Sequence, residues 1–499
     1  MALRALIDPL TRFSLLRLAI IPFLGYILFI IVKRLFLSPL RHVPGPISTR
    51  LTGWALIIEG FFGRRVHALD ELHRKYGDIV RVGPNEVSVA DWRQLRKIYT
   101  NPKSIVKHSA FYDNGTFVGK HNLFQMSNPA EHAGRRKLSN PPYSLRSAEG
   151  LVPLIRQKAE DLARRLVTEA NAAETNTADA YKLCGLFSLE TICKASFAKD
   201  FEGPNALGDS LKLLHAMEGT SPIFIFDGVF PFLRYGGIGL RIPGAVGDAY
   251  RNHKHWEVQS RIMVDHFLEK SSSDAKYLLS PIANDIDSFL GRRLNHEELV
   301  EEAMGNMFAG SGTTSSTLTY LLYALSLPEN GHIQERLYTE ISQISPEDTT
   351  VLRENTYLKA VIKETFRRYP TIVLTVPRVL LEPLPIGEYV IPKGTVIGMQ
   401  NWIHHRNPKV FYNPDEFIPE RWLDSSEEMN ASLTPFSIGR RNCIGQNLAW
   451  EELYAAVEIL VRRLKFRLGA EMQPWEMEIE DRFTAAPRGH RLMLEVSRR

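Results

Sequence analysis

The stretch F-S-I-G-R-R-N-C-I-G at residues 436–445 holds one cysteine, Cys443, which Gly439 and Gly445 frame and Arg441 precedes by two positions. The amphipathic run at residues 447–464 follows directly and predicts a long helix. Loop amides and the positive end of a helix dipole favour a deprotonated sulfur, and a thiolate is a metal ligand. The stretch therefore indicates a metal-binding loop, with a buried structural cysteine as the alternative.

The composition of this loop narrows the kind of metal centre. Small residues let the backbone lie flat against a large planar ligand, and Arg441 can pair with an anionic group on that ligand. A single thiolate in such surroundings suggests haem iron. The spacing F-x-x-G-x-R-x-C-x-G, which begins at Phe436, resembles the haem-binding loop of the cytochrome P450 monooxygenases at every fixed position. That resemblance makes Cys443 the expected axial ligand of the iron.

Composition sets broader limits on the class of protein. The chain has 499 residues, a net charge of +5 and three cysteines. The charge is spread along the chain and gives no indication of nucleic acid binding. Cys184, Cys193 and Cys443 form no C-x-x-C pair and are too few for a disulfide framework, which favours a reducing compartment. No linker or internal repeat divides the chain, so we expect one large domain.

The N-terminal segment differs in kind from the rest. Residues 18–32 are uncharged and mostly apolar, and Lys33 and Arg34 follow them. A spanning helix needs about 20 apolar residues, and a cleaved signal peptide is the alternative. No small-x-small cleavage site follows; Pro44 and Pro46 do. We predict an uncleaved membrane anchor at residues 1–40 and a catalytic domain at 41–499. Resemblance to microsomal P450s implies the endoplasmic reticulum, with the domain on its cytoplasmic face.

Periodicity predicts a mainly helical fold with a small β-rich part, as the resemblance to the P450 fold also implies. Residues 297–327, 333–344 and 357–369 have helical patterns, the first of them unusually long. Strands at 79–82 and 87–90 should form one hairpin, and strands at 389–391 and 395–397 a second. The Phe- and Pro-rich segment 219–244 is either an apolar lid that dips into the membrane or a loop folded onto the core.

A second motif, E-T-F-R, places Glu364 and Arg367 three residues apart on one helix, and P-E-R-W at Pro419–Trp422 comes later. Alone, such a pair is usually a solvated ion pair. The P450 family buries an E-x-x-R pair against the arginine of P-E-R-F, and this network braces the cysteine loop. The resemblance therefore implies a structural trio of Glu364, Arg367 and Arg421. Trp422 departs from the family's usual phenylalanine.

The haem's carboxylates need cations. By resemblance, the side chains expected to bind them are His132, Arg136, Arg378 and Arg441. Arg135 and Lys137, in the same H-A-G-R-R-K stretch as His132, are either a solvated basic face or part of a docking surface for an acidic electron donor.

The predicted long helix contains A-G-S-G-T-T at residues 309–314, similar to the family's oxygen-activating motif. Thr313 aligns with the hydroxyl that supports proton delivery to dioxygen, and Gly310 should let the helix open beside the iron. Gly312 stands where the family usually has a carboxylate. Without that carboxylate, protons would travel through water, Ser311, Thr314 or a substrate group. Alternatively, the enzyme catalyses a less conventional reaction, such as ring formation or dehydration.

The resemblance implies a haem-thiolate monooxygenase that binds haem b, consumes O2 and receives electrons from NADPH through a separate cytochrome P450 reductase. We expect a monomer. The pocket walls should come from residues 101–125, 219–244, 303–317, 371–376 and 484–486, and their apolar character predicts a lipophilic substrate. The motif forms are similar to those of filamentous-fungal members, many of which tailor secondary metabolites. Two alternatives remain open: a haem-thiolate isomerase or dehydratase that needs no external electrons, and a non-catalytic haem sensor.

Overall fold

The computed structural model describes residues 9–101, 104–202, 205–270, 276–482 and 484–499, with side chains from residue 20 onward and without that of residue 235. Over this part of the chain, we find no helix whose length and apolarity suffice to cross a membrane. The predicted anchor at residues 1–40 lies partly outside the described residues.

The described chain is mainly helical, as predicted. The α-helices are α1 Pro9–Leu35, α2 Ile47–Leu51, α3 Trp54–Phe61, α4 Arg65–Tyr76, α5 Leu95–Tyr99, α6 Ser109–Tyr112, α7 Pro129–Ser139, α8 Leu145–Gly150, α9 Val152–Ala172, α10 Ala180–Phe197, α11 Ala206–Glu218, α12 Ile223–Val229, α13 Ile238–Arg241, α14 Gly244–Lys270, α15 Ser280–Asn284, α16 His296–Ser326, α17 Gly331–Ser342, α18 Thr349–Glu354, α19 Thr356–Arg368, α20 Asn401–His404, α21 Glu427–Ser432 and α22 Gln446–Arg463. Short 3₁₀ turns include Pro231–Gly237, Pro419–Trp422 and Gly439–Arg441.

Four small sheets accompany the helices. The strands are β1 Ile79–Gly83, β2 Glu86–Val89, β3 Ile105–Lys107, β4 Thr177–Asp179, β5 Arg378–Leu380, β6 Leu384–Ile386, β7 Tyr389–Ile391, β8 Val396–Gly398, β9 Leu464–Leu468, β10 Ile479–Arg482, β11 Thr484–Pro487 and β12 Met493–Arg498. The largest sheet has the order β1-β2-β8-β5-β3, the next has β4-β12-β9, and β6-β7 and β10-β11 are hairpins. Helix therefore dominates, and sheet occupies one minor part.

The main core is centred on α16. A capping box of Asn295 and Glu298 starts this helix, and its second half, from Thr314 to Ser326, is almost wholly buried. Helix α10 packs along it and is itself buried on nearly every face, so its apolar residues show little periodicity. Helices α9, α19 and α22 enclose the pair. The middle of α16 is therefore a rigid support for a central site.

One predicted hairpin is confirmed and the other is wrong. Strands β1 and β2 pair antiparallel about the turn at residues 83–85. Strand β7 pairs instead with β6, and β8 lies between β2 and β5 in the largest sheet. The turn before β8 is tied to other elements, because Gly394 N–H donates to the Leu380 carbonyl and Val396 N–H to that of Asn85. Pairing on both edges satisfies more backbone groups of β8 than a local hairpin would.

The segment at residues 219–244 folds onto the core. It forms α12, a 3₁₀ turn and α13, and Ile223 and Leu233 pack against Ala249 and Tyr250 of α14. Its outer side carries exposed phenylalanines at residues 230 and 232. The chain thus adopts the folded-on arrangement, with an apolar outer face.

Candidate active site

A central cavity of about 810 Å³ lies between α16, the cysteine loop and the segments that the sequence assigned to the pocket walls. Each of the five predicted segments contributes lining residues: Phe117, Phe224, Thr313, Thr371 and Thr484 are examples. Most of the remaining lining is apolar, and the cysteine loop contributes Phe436, Arg441, Cys443 and Gly445. The cavity is large enough to enclose a cofactor together with a small molecule.

Cys443 is exposed to this cavity at the start of α22. Its backbone N–H donates to the Phe436 carbonyl at 2.9 Å, which closes the loop. The Phe436 ring packs edge-on against Phe366 of α19 at 5.3 Å between centroids. Burial raises the pKa of the Cys443 thiol, and the Gly445 amide and the Arg136 guanidinium act in the opposite direction. The protein environment alone therefore leaves the sulfur protonated at neutral pH, and a bound cation would be needed to hold it as thiolate.

The two framing glycines differ in what requires them. Gly439 has φ +76°, and a Cβ there would lie 2.7 Å from the Tyr99 carbonyl at the end of α5. Contact with the protein thus demands this glycine. A Cβ on Gly445 would lie 3.9 Å from the Cys443 sulfur, which is an ordinary contact. We predicted that both glycines let the backbone lie flat against a ligand. For Gly445 this explanation is still available, whereas the contact with Tyr99 is sufficient to explain Gly439.

Glu364, Arg367 and Arg421 form a fully buried network. Arg367 donates to both Glu364 oxygens, at 2.8 and 2.9 Å, and Arg421 donates to one at 3.1 Å. Arg367 also donates to the His405, Pro414 and Glu416 carbonyls, and Arg421 to those of Tyr412 and Asn413. The predicted trio is thus assembled, and it ties α19 to the irregular chain that leads to the cysteine loop.

Trp422 completes this network. Its indole Nε1–H donates to Glu364 Oε2 at 2.8 Å, and the Ile418 amide donates to Oε1 at 2.9 Å. A phenylalanine at position 422 could not make the first of these bonds. The departure from the family's usual residue therefore gives the buried carboxylate an additional donor.

The link from this network to the loop runs through residues that the sequence did not reveal. The carbonyl of His405 accepts from Arg367, and its ring Nε2 accepts from the Thr434 amide at 3.1 Å. The side chains of His404 and Asn401 hydrogen-bond Thr434 as well. Burial and neighbouring cations push the pKa of His405 well below its usual value, so the ring is neutral and can accept. Thr434 is two residues before Phe436, so these bonds position the start of the loop.

Basic side chains gather at one side of the cavity, where Lys107, His132 and Arg378 are buried and Arg441 is half-buried. Strand pairing sets Lys107 directly opposite Arg378, and both line the cavity with His132 and Arg441. Throughout the described chain, no carboxylate forms an ion pair with Lys107, Arg378 or Arg441. Like charges opposite each other are destabilising, so the arrangement calls for an anion in the cavity.

Burial and the crowding of basic groups lower the pKa values of individual members of this cluster. Burial and the charges of Arg378 and Arg441 push the pKa of Lys107 well below its usual value. Burial and the same kind of repulsion lower the pKa of His132 to about 3, so its ring is neutral. Lys107 lies over the rings of Tyr112 and Phe124 at 4.2 and 4.4 Å, and Arg378 donates to the Tyr112 hydroxyl at 2.9 Å. Sequence reasoning missed Lys107, because it reads as part of an irregular loop.

The neighbouring arginines of α7, Arg135 and Arg136, have different surroundings. Arg136 lines the cavity, but it donates to the Asn442 carbonyl at 2.8 Å and to the Asn442 side chain at 3.1 Å, directly beside Cys443. Arg135 is buried in ion pairs with Asp287 and Glu302. The suggestion that Arg135 belongs to a basic docking surface is therefore wrong, since its charge is compensated inside the protein.

Helix α16 crosses the cavity without a break. Thr313 donates its hydroxyl to the Ala309 carbonyl at 2.7 Å, one turn back, and both residues line the cavity. The opening predicted at Gly310 is absent from α16, which is helical from His296 to Ser326. A Cβ on Gly310 would lie 2.6 Å from Ile192 of α10, so this glycine permits close helix packing. A Cβ on Gly312 would have only an ordinary contact, 3.7 Å from Thr484, and a carboxylate there is not sterically excluded.

The hydroxyls after Thr313 are already engaged. Thr314 donates to Glu452 of α22 at 2.8 Å, and Thr317 donates to the Thr313 carbonyl at 3.0 Å. Glu452 is buried and lines the cavity, and burial raises the pKa of its carboxyl to about 8. A protonatable acid thus lies against α16 although Gly312 supplies none. Its role cannot be predicted from the sequence, in which Glu452 is simply the second of two adjacent glutamates on a helix.

These observations can be tested against haem. The described part of the cavity offers an accessible cysteine, a largely apolar interior, a helix with small residues, and basic side chains without a carboxylate partner among the described residues. Haem satisfies each of these requirements. Its iron can bind a thiolate, and its planar, largely apolar ring carries two carboxylates for the basic side chains. A family model for cytochrome P450 matches residues 43–494. The chain belongs to the cytochrome P450 family. It is accordingly a monooxygenase, and the family's cofactor, haem iron with a thiolate ligand, fits the residues present.

Relatives of this P450 extend over nearly its whole length. A cytochrome P450 monooxygenase of Aspergillus parasiticus is 29% identical over 93% of the chain and 93% of its own length. One from Aspergillus niger is 28% identical over 93% and 95%, respectively. An N-acetyltryptophan 6-hydroxylase of Emericella nidulans is 28% identical over 97% of both chains. This P450 is therefore similar to enzymes of these fungi over more than nine-tenths of its length.

Proposed function

We propose that this P450 inserts one oxygen atom of O2 into a lipophilic small molecule, by hydroxylation, epoxidation or oxidative ring formation, in fungal secondary metabolism. The observation that carries the proposal is the accessible Cys443 sulfur facing a largely apolar cavity, in which Lys107, Arg378 and Arg441 form no ion pair with any carboxylate of the described residues. Haem, when bound, supplies the activation of dioxygen. The residues of this chain hold the cofactor, exclude water and place donors and acceptors around the substrate.

Cys443 would hold the haem iron through its sulfur, on a loop that the network of Glu364, Arg367 and Arg421 stabilises. Four side chains are proposed to bind the haem carboxylates: Lys107, His132, Arg378 and Arg441. His132 is neutral, so it would donate a hydrogen bond without adding charge. Arg136 is proposed to hold the cysteine loop through Asn442 rather than to bind a haem carboxylate, because its guanidinium donates to the Asn442 carbonyl and side chain.

Thr313 is proposed to hold a proton or a water molecule near the reacting atoms. Its hydroxyl donates to the Ala309 carbonyl, so its lone pairs point away from that bond and can accept from water. Because Gly312 lacks a carboxylate, the proton reaches Thr313 from water or from a substrate hydroxyl. Thr314 is a weaker candidate, since its hydroxyl already donates a hydrogen bond to Glu452.

Further parts of the proposal concern the cellular setting. Residues 1–40 form a membrane anchor, residues 41–499 form one catalytic domain, and the enzyme works as a monomer on the cytoplasmic face of the endoplasmic reticulum. A separate NADPH-dependent reductase supplies electrons. The apolar run at residues 18–32 and the exposed Phe230 and Phe232 support membrane contact.

The test is a reconstitution of the purified full chain with haem, NADPH and a fungal P450 reductase. Candidate terpenoid, polyketide and alkaloid scaffolds are first screened for shifts of the Soret band, and binders are then assayed for oxygenated products. We expect products that require NADPH, reductase and O2. Turnover without external electrons would contradict the proposal in favour of an isomerase or dehydratase. Ligand binding with no turnover of any binder would favour a haem sensor.

A further inference from the structure

One carboxylate of α16 holds the loop that forms a wall of the cavity. Glu301 is fully buried, and its oxygens accept from the Phe117 amide at 2.9 and 3.0 Å and from the Val118 amide at 2.7 Å. The side-chain amide of Asn122 donates to the same group at 3.1 Å. Gly119, with φ +79°, turns the backbone so that these donors converge on one acceptor. A single side chain thus fixes the backbone of residues 117–122.

The loop held in this way presents an aromatic ring to a set of other rings. Phe117 packs edge-on against Trp256 at 4.9 Å between centroids and lies 5.7 Å from Phe308 of α16. Phe224 of α12 meets Phe117 at 6.2 Å and Phe308 at 5.4 Å, both in T-shaped geometry. Phe117, Phe224 and Phe308 all line the cavity, and we call them the aromatic wall.

Hydroxyl groups line the same cavity as the aromatic wall. Thr317 hydrogen-bonds Thr371 at 2.8 Å, and Thr484 lies beside Gly312. A ligand in this cavity can therefore meet both ring edges and faces and hydroxyl groups. Edge-to-face contact with rings favours aromatic over saturated partners of the same shape, and hydroxyls accommodate oxygen substituents.

The Glu301 contacts are costly to replace. A buried carboxylate that accepts several N–H bonds is stabilised by them, and removing it takes this acceptor away from several buried donors at once. Phe308 is seven residues after Glu301 on the same helix, so the clamp sets the loop ring at a fixed distance from the helix ring. The position of the aromatic wall therefore depends on Glu301.

We propose that Glu301 is a positioning residue for substrate, which clamps residues 117–122 so that the aromatic wall selects a planar aromatic ligand carrying oxygen substituents. This inference rests on the proposed monooxygenase function and adds the class of substrate. Glu301 acts through the loop and does not touch the reacting atoms.

The clamp is tested by hydrogen exchange on the haem-loaded full chain. In Glu301→Gln an NH2 group replaces one of the two accepting oxygens and therefore opposes an N–H donor of the loop. We expect the backbone amide hydrogens of residues 113–125 to exchange about tenfold faster or more. The control is Glu297→Gln, one turn earlier on α16, where the exposed side chain pairs with Arg261 and no loop amide. Unchanged protection of residues 117 and 118 in Glu301→Gln would overturn the clamp.

Selectivity is tested by titrating the Soret shift with naphthalene and decalin, which share a bicyclic skeleton but differ in aromaticity. We expect the parent enzyme to bind naphthalene about threefold to tenfold more tightly, the range of one edge-to-face contact. Glu301→Gln and Phe117→Leu should each bring the ratio close to one, while Glu297→Gln keeps it. Equal affinities in the parent, or an unchanged ratio in both variants, would overturn the inference.

Folding failure and failure of the underlying function are separable from these outcomes. The red-shifted Soret band of the reduced carbon monoxide complex reports whether haem is bound by thiolate in every variant. If Glu301→Gln fails to load haem, Phe117→Leu decides, because it keeps the clamp and removes only the ring. Loss of that band in the parent enzyme would overturn the proposed function itself, whereas a normal band with no ring preference overturns only this inference.

Discussion

Replacing Trp422 by phenylalanine tests the buried network that supports the cysteine loop. The indole Nε1–H donates to Glu364 at 2.8 Å, and both side chains are buried. A hydrogen bond to a charged group contributes about 1.5–3 kcal/mol, and the smaller ring leaves unfilled space. We expect a loss of about 2–4 kcal/mol, which is a large fraction of the roughly 5–15 kcal/mol that stabilises a typical protein.

The assay follows unfolding in urea by far-ultraviolet circular dichroism, because removing a tryptophan alters fluorescence. Haem transfer to an excess of apomyoglobin, followed at the Soret band, is measured alongside. Trp475→Phe is the matched control, since Trp475 is half exposed and its nearest cation, Arg488, is 5.8 Å from the ring. We expect a lower midpoint and faster haem release for Trp422→Phe, and a change within about 0.5 kcal/mol for the control. Equal midpoints for both variants would refute the reasoning.

Three more outcomes can be checked. Thr313→Ala should divert reducing equivalents into free hydrogen peroxide, measured as peroxide formed per NADPH consumed; unchanged coupling would show that water, Ser311 or Thr314 carries the protons. Lys107→Met should raise the thermal midpoint of the haem-free protein, because it removes an amine whose burial beside Arg378 and Arg441 is unfavourable, and speed haem release about tenfold; slower or unchanged release would remove Lys107 from the haem site. Burial raises the pKa of Glu452 from 4.5 to about 8, so the folded state keeps a proton that the unfolded state loses between these values, and stability falls as pH rises through that window. Glu452→Gln should reduce the difference between the urea unfolding midpoints at about pH 5 and about pH 8. An unchanged difference would show that other groups cause the pH dependence of stability.

Motifs with fixed spacing predicted the parts of the site that lie near one another in sequence. The cysteine loop, the E-x-x-R pair and the A-G-S-G-T-T helix each occur where local periodicity places them. The E-x-x-R pair also meets Arg421 as the family resemblance implied. These predictions succeeded because short spacings within a loop or a helix determine which side chains share a face.

Residues brought together by strand pairing or by long loops escaped prediction. Lys107 reaches the site only because β3 pairs with β5, and that register sets it opposite Arg378. Strand β8 was assigned to the wrong partner for the same reason, since three-residue strands carry too little pattern to specify register. Glu301 and Glu452 look like ordinary helix glutamates, and their roles depend on loop amides and a neighbouring helix.

Gly310 and Gly439 show a different limit. The sequence suggests that both adapt the chain to a ligand, whereas the structure explains each by contact with protein: Ile192 for Gly310 and the Tyr99 carbonyl for Gly439. A glycine in a sequence indicates close approach without identifying the approaching group.

The central claim is that Cys443 binds haem iron as a thiolate. The most direct measurement is the absorption spectrum of the reduced carbon monoxide complex of the full chain and of Cys443→Ser, with Cys184→Ser as the control for a buried cysteine on α10. We predict a red-shifted Soret band in the parent and in Cys184→Ser, and its loss in Cys443→Ser. A red-shifted band that survives in Cys443→Ser would contradict the account.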